Sequence, residues 1–381
     1  MSELLESLRR RHDQRDEFAR QWSAQGGKVL AYMCDNFPHE LVAAAGLLPF
    51  RLRGDPSAPA SHVAQYVSPD RSSTVAVPAF VDAMLEPLLA GAYDFVDYVV
   101  VPHGRKAIEG SYESLTRARA AGTPMRDVKL FYLDKSWVPG AASSAFDRQC
   151  VLALAGQLGE WARTPITEAA LAQALAEAER GRALLRRLNR LRLERAPRLS
   201  GSDALRVYSL ASAMPRVEHN RLVQEIVTAA ARLPARAGPR LYLAGSPQPS
   251  TALYELIERF GATVVGEDHC WGARATGCPV PPGPAALERL AERYHRTPVC
   301  SIEFPLERAL ERWRASVRLA RPDAVLFFVV SGDELHVWDT PEKAALLAAD
   351  GIPSLHLSRQ GYDVTGRELT DAVGAWVSGL S

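Results

Sequence analysis

The chain is poor in cysteine, and no two of its cysteines form a Cys-x-x-Cys pair. Five cysteines occur among 381 residues, at positions 34, 150, 270, 278 and 300. Their odd number and wide spacing argue against a disulfide framework and are typical of a protein from a reducing compartment.

The chain also lacks an excess of charge and any long apolar run. Its formal net charge is +1, so no global field attracts nucleic acid or an anionic membrane. No apolar run reaches the roughly 18 residues of a membrane-spanning helix, and residues 1–20 lack the apolar core of a signal peptide. We therefore expect a soluble, cytoplasmic protein that binds neither nucleic acid nor a membrane.

What is present is a regular alternation of strands and helices. A chain of this length exceeds one ordinary hydrophobic core. Apolar runs that predict strands lie at residues 29–33, 48–52, 95–101, 128–133, 240–244, 262–265, 324–330 and 354–357. Because helical patterns separate these runs, each set of strands is typical of a parallel, doubly wound sheet.

The sequence therefore predicts an α/β protein of two doubly wound parallel-sheet lobes with a helical middle segment. We place an N-terminal α/β lobe with a leading helix at residues 1–144. A helical connecting domain, rich in Ala, Leu, Arg and Glu, follows at residues 145–235, and a C-terminal α/β lobe at residues 236–381.

Ligands of open parallel sheets bind beyond the carboxyl ends of the strands. Polar, charged and glycine residues follow six of the predicted strands, at residues 34–36, 102–106, 245–247, 266–270, 331–334 and 358–360. These segments predict a cleft between the lobes.

Several ordered segments then carry a family resemblance. They are Pro38-x-Glu40-Leu41-Val42 with Gly46-Leu47-x-Pro49-x-Arg51, Gly245-Ser246-Pro247, Val264-Val265-Gly266-Glu267-Asp268-x-Cys270-x-Gly272-x-Arg274, Pro298-x-Cys300, Pro322-Asp323-Ala324 and Gly351-Ile352-Pro353. In this order they resemble the 2-hydroxyacyl-CoA dehydratase and benzoyl-CoA reductase subunit family.

The resemblance implies ketyl-radical chemistry on an acyl-CoA thioester. In that family two homologous subunits pair, an ATP-dependent activator protein delivers the electron, and a cluster-bearing subunit holds a [4Fe–4S] cluster with three cysteines. The three corresponding regions here, residues 68–74, 101–106 and 330–334, contain no cysteine.

Ser, Gly and basic residues do not replace thiolate ligands. We therefore expect no metal on this chain alone, with the cluster in a paralogous partner subunit of a heterodimer, or a homodimer. Cys270 and Cys300 match family positions and are interpreted as structural. An unusual cluster that uses Cys34, Cys270 and Cys300 stays open as an alternative.

Two residues are candidates for acid–base catalysis. Glu40 either faces the cleft as an acid–base group or is a first-turn glutamate stabilised by the helix dipole. His103 precedes Arg105 and Lys106, which either bind an anion such as a CoA phosphate or a substrate carboxylate, or only decorate a loop.

Further candidates for substrate binding lie at the ends of the second-lobe strands. They are Ser246, Glu267, Arg274, Ser331 and Arg359. Glu267 with His269 is either a proton relay or metal pair, or a structural element at the lobe junction, and Arg274 is expected to pair with a carboxylate of this run. Arg359 stands where the family commonly has an acidic residue.

Two functions remain open at this point. The chain is either the cluster-free subunit of an acyl-CoA dehydratase or reductase, or a divergent member that acts as a binding or scaffold protein or as an enzyme without radical chemistry. A nicotinamide-dependent Rossmann enzyme is disfavoured because no Gly-x-Gly-x-x-Gly follows a predicted strand.

Overall fold

The structure is a computed structural model that describes residues 2–66, 77–136, 138, 140–298 and 305–380. Residues 68–74, the first of the three regions without cysteine, and Cys300 lie outside the described residues.

The first lobe is built on a four-stranded parallel sheet. Its strands are β1 (Val29–Tyr32), β2 (Leu48–Arg51), β3 (Tyr98–Pro102) and β4 (Lys129–Leu133). Their spatial order is β2-β1-β3-β4, and all neighbours are parallel. Every residue of β1 and β3 is buried, as expected for strands that are covered by helices on both faces.

The second lobe repeats this topology. Its strands are β5 (Arg240–Gly245), β6 (Thr263–Glu267), β7 (Ala324–Val330) and β8 (Ser354–Gln360). Their order is β6-β5-β7-β8, again parallel throughout. Two doubly wound parallel-sheet lobes are therefore confirmed, and they share one strand order.

Helices cover both sheets and fill the middle of the chain. The helices before the middle segment are α1 (Ser2–Asp13), α2 (Arg15–Ala24), α3 (His39–Ala44), α4 (Ala79–Leu89) and α5 (Lys106–Ala120). The middle segment contains α6 (Ala141–Ala162), α7 (Glu168–Leu193), α8 (Gly201–Leu210) and α9 (Arg216–Ala230). The last part contains α10 (Ala252–Arg259), α11 (Ala286–Arg296), α12 (Leu306–Ala320), α13 (Glu334–Ala349) and α14 (Arg367–Gly379). Short 3-10 helices lie at Val63–Gln65 and Ala273–Thr276. Among these described helices, none is both long enough and apolar enough to cross a membrane.

Several predicted strand boundaries differ from the observed ones. The strand predicted from residue 95 begins at Tyr98, because the Val96 N–H donates to the Tyr93 carbonyl and closes a turn there. The strand predicted over residues 354–357 extends to Gln360. Helix α4 begins at Ala79, directly after Pro78. A proline before the helix fits this start, since it needs no intrahelical hydrogen-bond acceptor.

Helix α11 packs against the first lobe although it follows the strands of the second. Leu290 and Tyr294 of α11 share a buried cluster with Leu30, Val100 and Leu154. The Lys135 ammonium group donates to the backbone carbonyl of Tyr294, which fixes α11 to the end of β4. One wall of the inter-lobe cleft thus comes from a helix that is distant in sequence.

Candidate functional site between the two lobes

The strand order creates a crevice at the same place in each sheet. The chain reverses its direction of winding between β1 and β3 and again between β5 and β7, and such points are where open α/β sheets bind ligands. In the first lobe Asn36, after β1, donates from Nδ2 to the His103 carbonyl, after β3, at 2.6 Å. In the second lobe Ser246, after β5, reaches across to the residues that follow β7.

A buried salt bridge joins the two crevices. Arg105, directly before α5, donates from Nη1 to Oδ1 of Asp333 at 2.7 Å. The other carboxylate oxygen of Asp333 accepts from Ser246 Oγ at 2.7 Å and lies 2.8 Å from His336 Nδ1. We call Arg105, Ser246, Asp333 and His336 the Asp333 latch.

The Asp333 carboxylate is held in its ionised form. Its side chain is fully buried. Burial alone would raise its pKa, but His336, Arg105 and Ser246 outweigh burial and hold the pKa of Asp333 well below its ordinary value. Within the latch, Arg105 and Asp333 therefore form a pair of opposite charges at the junction of the lobes.

His103 lies beside the latch with a carboxylate at each ring nitrogen. Its Nδ1 is 2.6 Å from Asp134 Oδ1, and its Nε2 is 3.3 Å from Glu109 Oε1. The ring is only partly buried, with 19% of the side chain exposed. A histidine that is oriented by carboxylates and partly exposed to solvent suits proton transfer.

Three predicted binding residues lie at exposed positions. Lys106 is in the first turn of α5. Ser331 follows β7, and its backbone N–H donates to the Gln360 carbonyl at 2.9 Å. Arg359 has a φ of 57°, beside a register shift between β7 and β8. The structure therefore does not bury these three side chains with the latch.

A cavity of about 270 Å³ opens between the first lobe, α7, the start of α9 and the segment after β6. Its walls carry six arginines, Arg51, Arg182, Arg216, Arg274, Arg293 and Arg312. Asp35 and Glu40 are the carboxylates among its lining residues. We call this space the arginine cavity.

Glu40 is one of the predicted catalytic residues, and it lies in this cavity as an ion-pair partner. Arg182 Nη1 donates to Glu40 Oε1 at 2.7 Å, and both side chains are buried. Burial would raise the pKa of Glu40, but Arg293 and Arg182 lower it well below its ordinary value. The group is an ionised acceptor rather than a proton donor at neutral pH.

Arg274 and Arg51 line the side of the cavity nearest the second lobe. Arg274 Nε donates to Asp35 Oδ2 at 3.1 Å, so its carboxylate partner comes from the first lobe and not from the Glu267 run. Arg51 donates to the Cys270 carbonyl at 2.7 Å and to its Sγ at 2.9 Å. Its guanidinium lies 3.8 Å from the centre of the Trp271 ring, a cation–π contact.

Glu267 and His269 lie behind the cavity, at the lobe junction. Arg192 of α7 donates from Nη1 to Glu267 Oε1 at 3.1 Å, and both side chains are almost fully buried. Because His269 Nδ1 accepts the Trp271 N–H at 3.2 Å, its Nε2 carries the proton and donates to Tyr254 Oη at 2.6 Å. Burial lowers the pKa of His269 to about 4. Both groups are thus engaged in fixed hydrogen bonds.

Sequence reasoning missed Arg182, Arg216 and Arg293 as site residues. A signal was present for Arg182, since it occurs at helical spacing from the buried residues Ala178 and Leu185 of α7. An arginine on the apolar face of a helix needs a buried partner. Arg216 and Arg293 offered no comparable signal.

The residues at these strand ends do not fit a [4Fe–4S] cluster. The end of β3 presents His103 and Arg105, and the end of β7 presents Asp333, whose oxygens are already used by the latch. Within the part of the chain that the structure describes, no three His, Cys, Asp or Glu side chains converge as metal ligands. Iron–sulfur clusters need soft thiolate ligands, which these groups are not.

Comparison with known proteins identifies one family. The family model described as 2-hydroxyglutaryl-CoA dehydratase, D-component, matches residues 34–375. No curated protein matches the chain. The matched span contains every strand except β1, together with the Asp333 latch and all six arginines of the arginine cavity.

Proposed function

The chain belongs to the 2-hydroxyglutaryl-CoA dehydratase D-component family, and on that premise we propose that it is the cluster-free subunit of a 2-hydroxyacyl-CoA dehydratase- or benzoyl-CoA reductase-type complex. The match over residues 34–375, which includes most of the first lobe and all strands of the second, carries this proposal. The substrate is an acyl-CoA thioester, and this chain completes the cleft in which a paralogous partner subunit acts.

The Asp333 latch supports the proposal that the partner subunit, and not this chain, holds the cluster. The family has cluster cysteines in three regions. In two of these regions, this chain has instead the salt bridge between Arg105 and Asp333. Removing one member of a buried ion pair costs roughly 3–5 kcal/mol, so these positions are committed to a charge pair. The [4Fe–4S] cluster then resides in the partner, where an ATP-dependent activator protein reduces it.

Within this proposal His103 is the residue of this chain that moves a proton. Its ring is partly exposed and is oriented by Asp134, as a general acid or base requires. Glu40 is an ion-pair partner of Arg182 and not a proton donor, because its low pKa keeps it ionised. Arg105 and Ser246 maintain the lobe junction through their contacts with Asp333.

The exposed residues bind the CoA moiety or the partner subunit in this proposal. They are Lys106, Ser331 and Arg359.

The proposal is tested by co-expression with a cysteine-complete paralogue from the same genome. We expect a brown heterodimer with iron in the partner, and a colourless preparation when this chain is produced alone. A matched control replaces the cluster cysteines of the paralogue by alanine, which should give a colourless heterodimer. If this chain alone binds about four irons per protomer, as a [4Fe–4S] cluster requires, the proposal is wrong.

A second function is favoured by the arginine cavity. A family member that has left radical chemistry would act as a binding protein, or as an enzyme that uses the cavity and His103 without metal. Failure to associate with any cysteine-complete paralogue, together with a gene that has no such neighbour, would favour this second function.

A further inference from the structure

Among the residues that the structure describes, arginines outnumber carboxylates on the walls of the arginine cavity. Six arginines line it, against the carboxylates of Asp35 and Glu40. A third carboxylate, Glu179, pairs with Arg182 just behind the wall. Arg274 pairs with Asp35, and Arg182 also pairs with Glu40, so Arg216 and Arg293 lie beside carboxylates that other arginines already bind.

Arg216 is the clearest sign of an absent counter-ion. It is partly buried at the first position of α9 and lines the cavity. Its guanidinium makes no hydrogen bond or ion pair with any residue that the structure describes. Burial lowers its pKa below the ordinary value; Arg182 and Arg293 act in the same direction, and Glu40 opposes them.

Arg293 has only one hydrogen-bond partner among the described residues. Its Nε donates to the Cys278 carbonyl at 3.1 Å. Burial likewise lowers its pKa, and Arg182 contributes, while Glu40 opposes the shift. Arg182, Arg216 and Arg293 thus lie around the carboxylate of Glu40, and with Glu179 beside Arg182 the three arginines face two carboxylates.

Other buried arginines of the chain have clear hydrogen-bond partners. Arg192 pairs with Glu267 and Arg206 with Asp203, whereas Arg15 and Arg240 donate to backbone carbonyls. Such partners are the general rule for buried charges, since an uncompensated charge is costly. Arg216 has neither kind of partner among the described residues, and departures of this kind are typical of functional sites.

We propose that the arginine cavity binds a free small oxyanion with two negative charges, either a phosphoryl group or a dicarboxylate, and that Arg216 and Arg293 are its principal ligands. Arginine suits both chemistries because its planar guanidinium donates two parallel hydrogen bonds to carboxylate or phosphate. This function goes beyond the proposed role in a complex, since the chain alone would bind the anion.

The size of the cavity limits the ligand. Its volume of about 270 Å³ is just below the range of roughly 300–1,000 Å³ that drug-sized ligands occupy. A compact dianion fits this space. A whole CoA molecule does not, although one of its phosphoryl groups could enter.

The test is titration calorimetry on the full chain with three separate probes, inorganic phosphate, glutarate and CoA. Comparison of phosphate with glutarate distinguishes recognition of a phosphoryl group from recognition of a dicarboxylate. Titration with CoA shows whether the cavity accepts a phosphoryl group that belongs to CoA. Arg216→Gln and Arg293→Gln should each weaken binding about tenfold or more, because a hydrogen bond to a charged group is worth that much. Arg126→Gln is the matched control, since it removes the same charge from an exposed site.

Stability measurements on the same variants separate a ligand site from a structural one. Because the fold disfavours the charge on Arg216, Arg216→Gln should leave the melting temperature of the ligand-free protein unchanged or raise it. Wild type should gain stability in saturating probe, whereas the variant should gain little. Binding by none of the probes, equal binding by wild type and Arg216→Gln, or unfolding of Arg216→Gln without ligand would each overturn the proposal. None of these results bears on whether the chain forms a complex with a paralogue.

Discussion

Arg105 and Asp333 are 228 residues apart in sequence, and their side chains meet at 2.7 Å between the carboxyl ends of β3 and β7. Each residue follows a strand next to the point where its sheet reverses winding. The two lobes are therefore joined by a charge pair at the place where related proteins of this architecture open a ligand crevice.

The first prediction concerns the contribution of this pair to stability. Arg105→Gln should lower the free energy of unfolding by about 3 kcal/mol, because Asp333 stays buried with only Ser246 and His336 as partners. Urea denaturation followed by circular dichroism measures the change. Arg318→Gln is the control, since Asp350 keeps Arg314 as a partner at the surface and the loss should stay under about 1 kcal/mol. A loss of equal size in both variants would contradict a special role for the latch.

The second prediction decides between the two interpretations of Glu267. If the residue is structural, Glu267→Gln leaves Arg192 fully buried without its carboxylate and should cost about 3–5 kcal/mol of stability. Glu113→Gln removes the same charge from an exposed pair with Arg117 and should cost less than about 1 kcal/mol. A stable Glu267→Gln protein that has lost only activity would instead favour a proton relay.

The fold was predictable from the sequence because its signals are local. Apolar runs such as Ala324–Val330 are buried along their whole length, and the pattern of strands and helices is enough to indicate a parallel sheet. The order of the strands, which is the same in both lobes, does not follow from that alternation and is shown only by the structure. Element boundaries were less certain, since turns such as that between Tyr93 and Val96 leave little trace in composition.

The candidate site was predictable only in part, because its contacts are long-range. The strand-end rule located Arg105, Ser246 and Glu267, but their partners Asp333, His336 and Arg192 could not be assigned from spacing. Helix α11 brings Arg293 to the cavity by packing on the first lobe, and no periodic pattern predicts which lobe a helix covers. The roles proposed for Glu40 and His103 stay predictions.

The third prediction uses the pH dependence of stability. His219 is fully buried and donates from Nε2 to the Val207 carbonyl at 2.9 Å. Burial lowers its pKa to about 3, whereas a histidine in the unfolded chain has a pKa of about 6.5. Between these values the unfolded state binds a proton that the folded state does not, so stability falls as the pH falls.

His219→Gln removes this linkage while its amide can still donate to Val207. Between about pH 6 and pH 4, the slope of unfolding free energy against pH should be smaller than in wild type by about 1.4 kcal/mol per pH unit. Leu222→Ala, in the same helix, should lower the whole curve without changing its slope. An unchanged slope in His219→Gln would mean that His219 is already protonated in the folded protein.

The last prediction links stability and anion binding through Glu40, and the two effects have opposite signs. Glu40→Gln deprives Arg182 and its neighbours Arg216 and Arg293 of their shared carboxylate, so it should lower the free energy of unfolding by roughly 3 kcal/mol. The same change removes a negative charge from the wall of the arginine cavity. A dianion bound there should gain at least tenfold in affinity, because even a single pair of unit charges about 10 Å apart at an effective dielectric constant near 20 interacts by about 1.7 kcal/mol. Denaturation and titration calorimetry with phosphate and glutarate measure the two quantities, with Glu113→Gln as the charge-matched control. A variant that lost stability and bound both anions less tightly would show that Glu40 shapes the cavity rather than competes with its ligand.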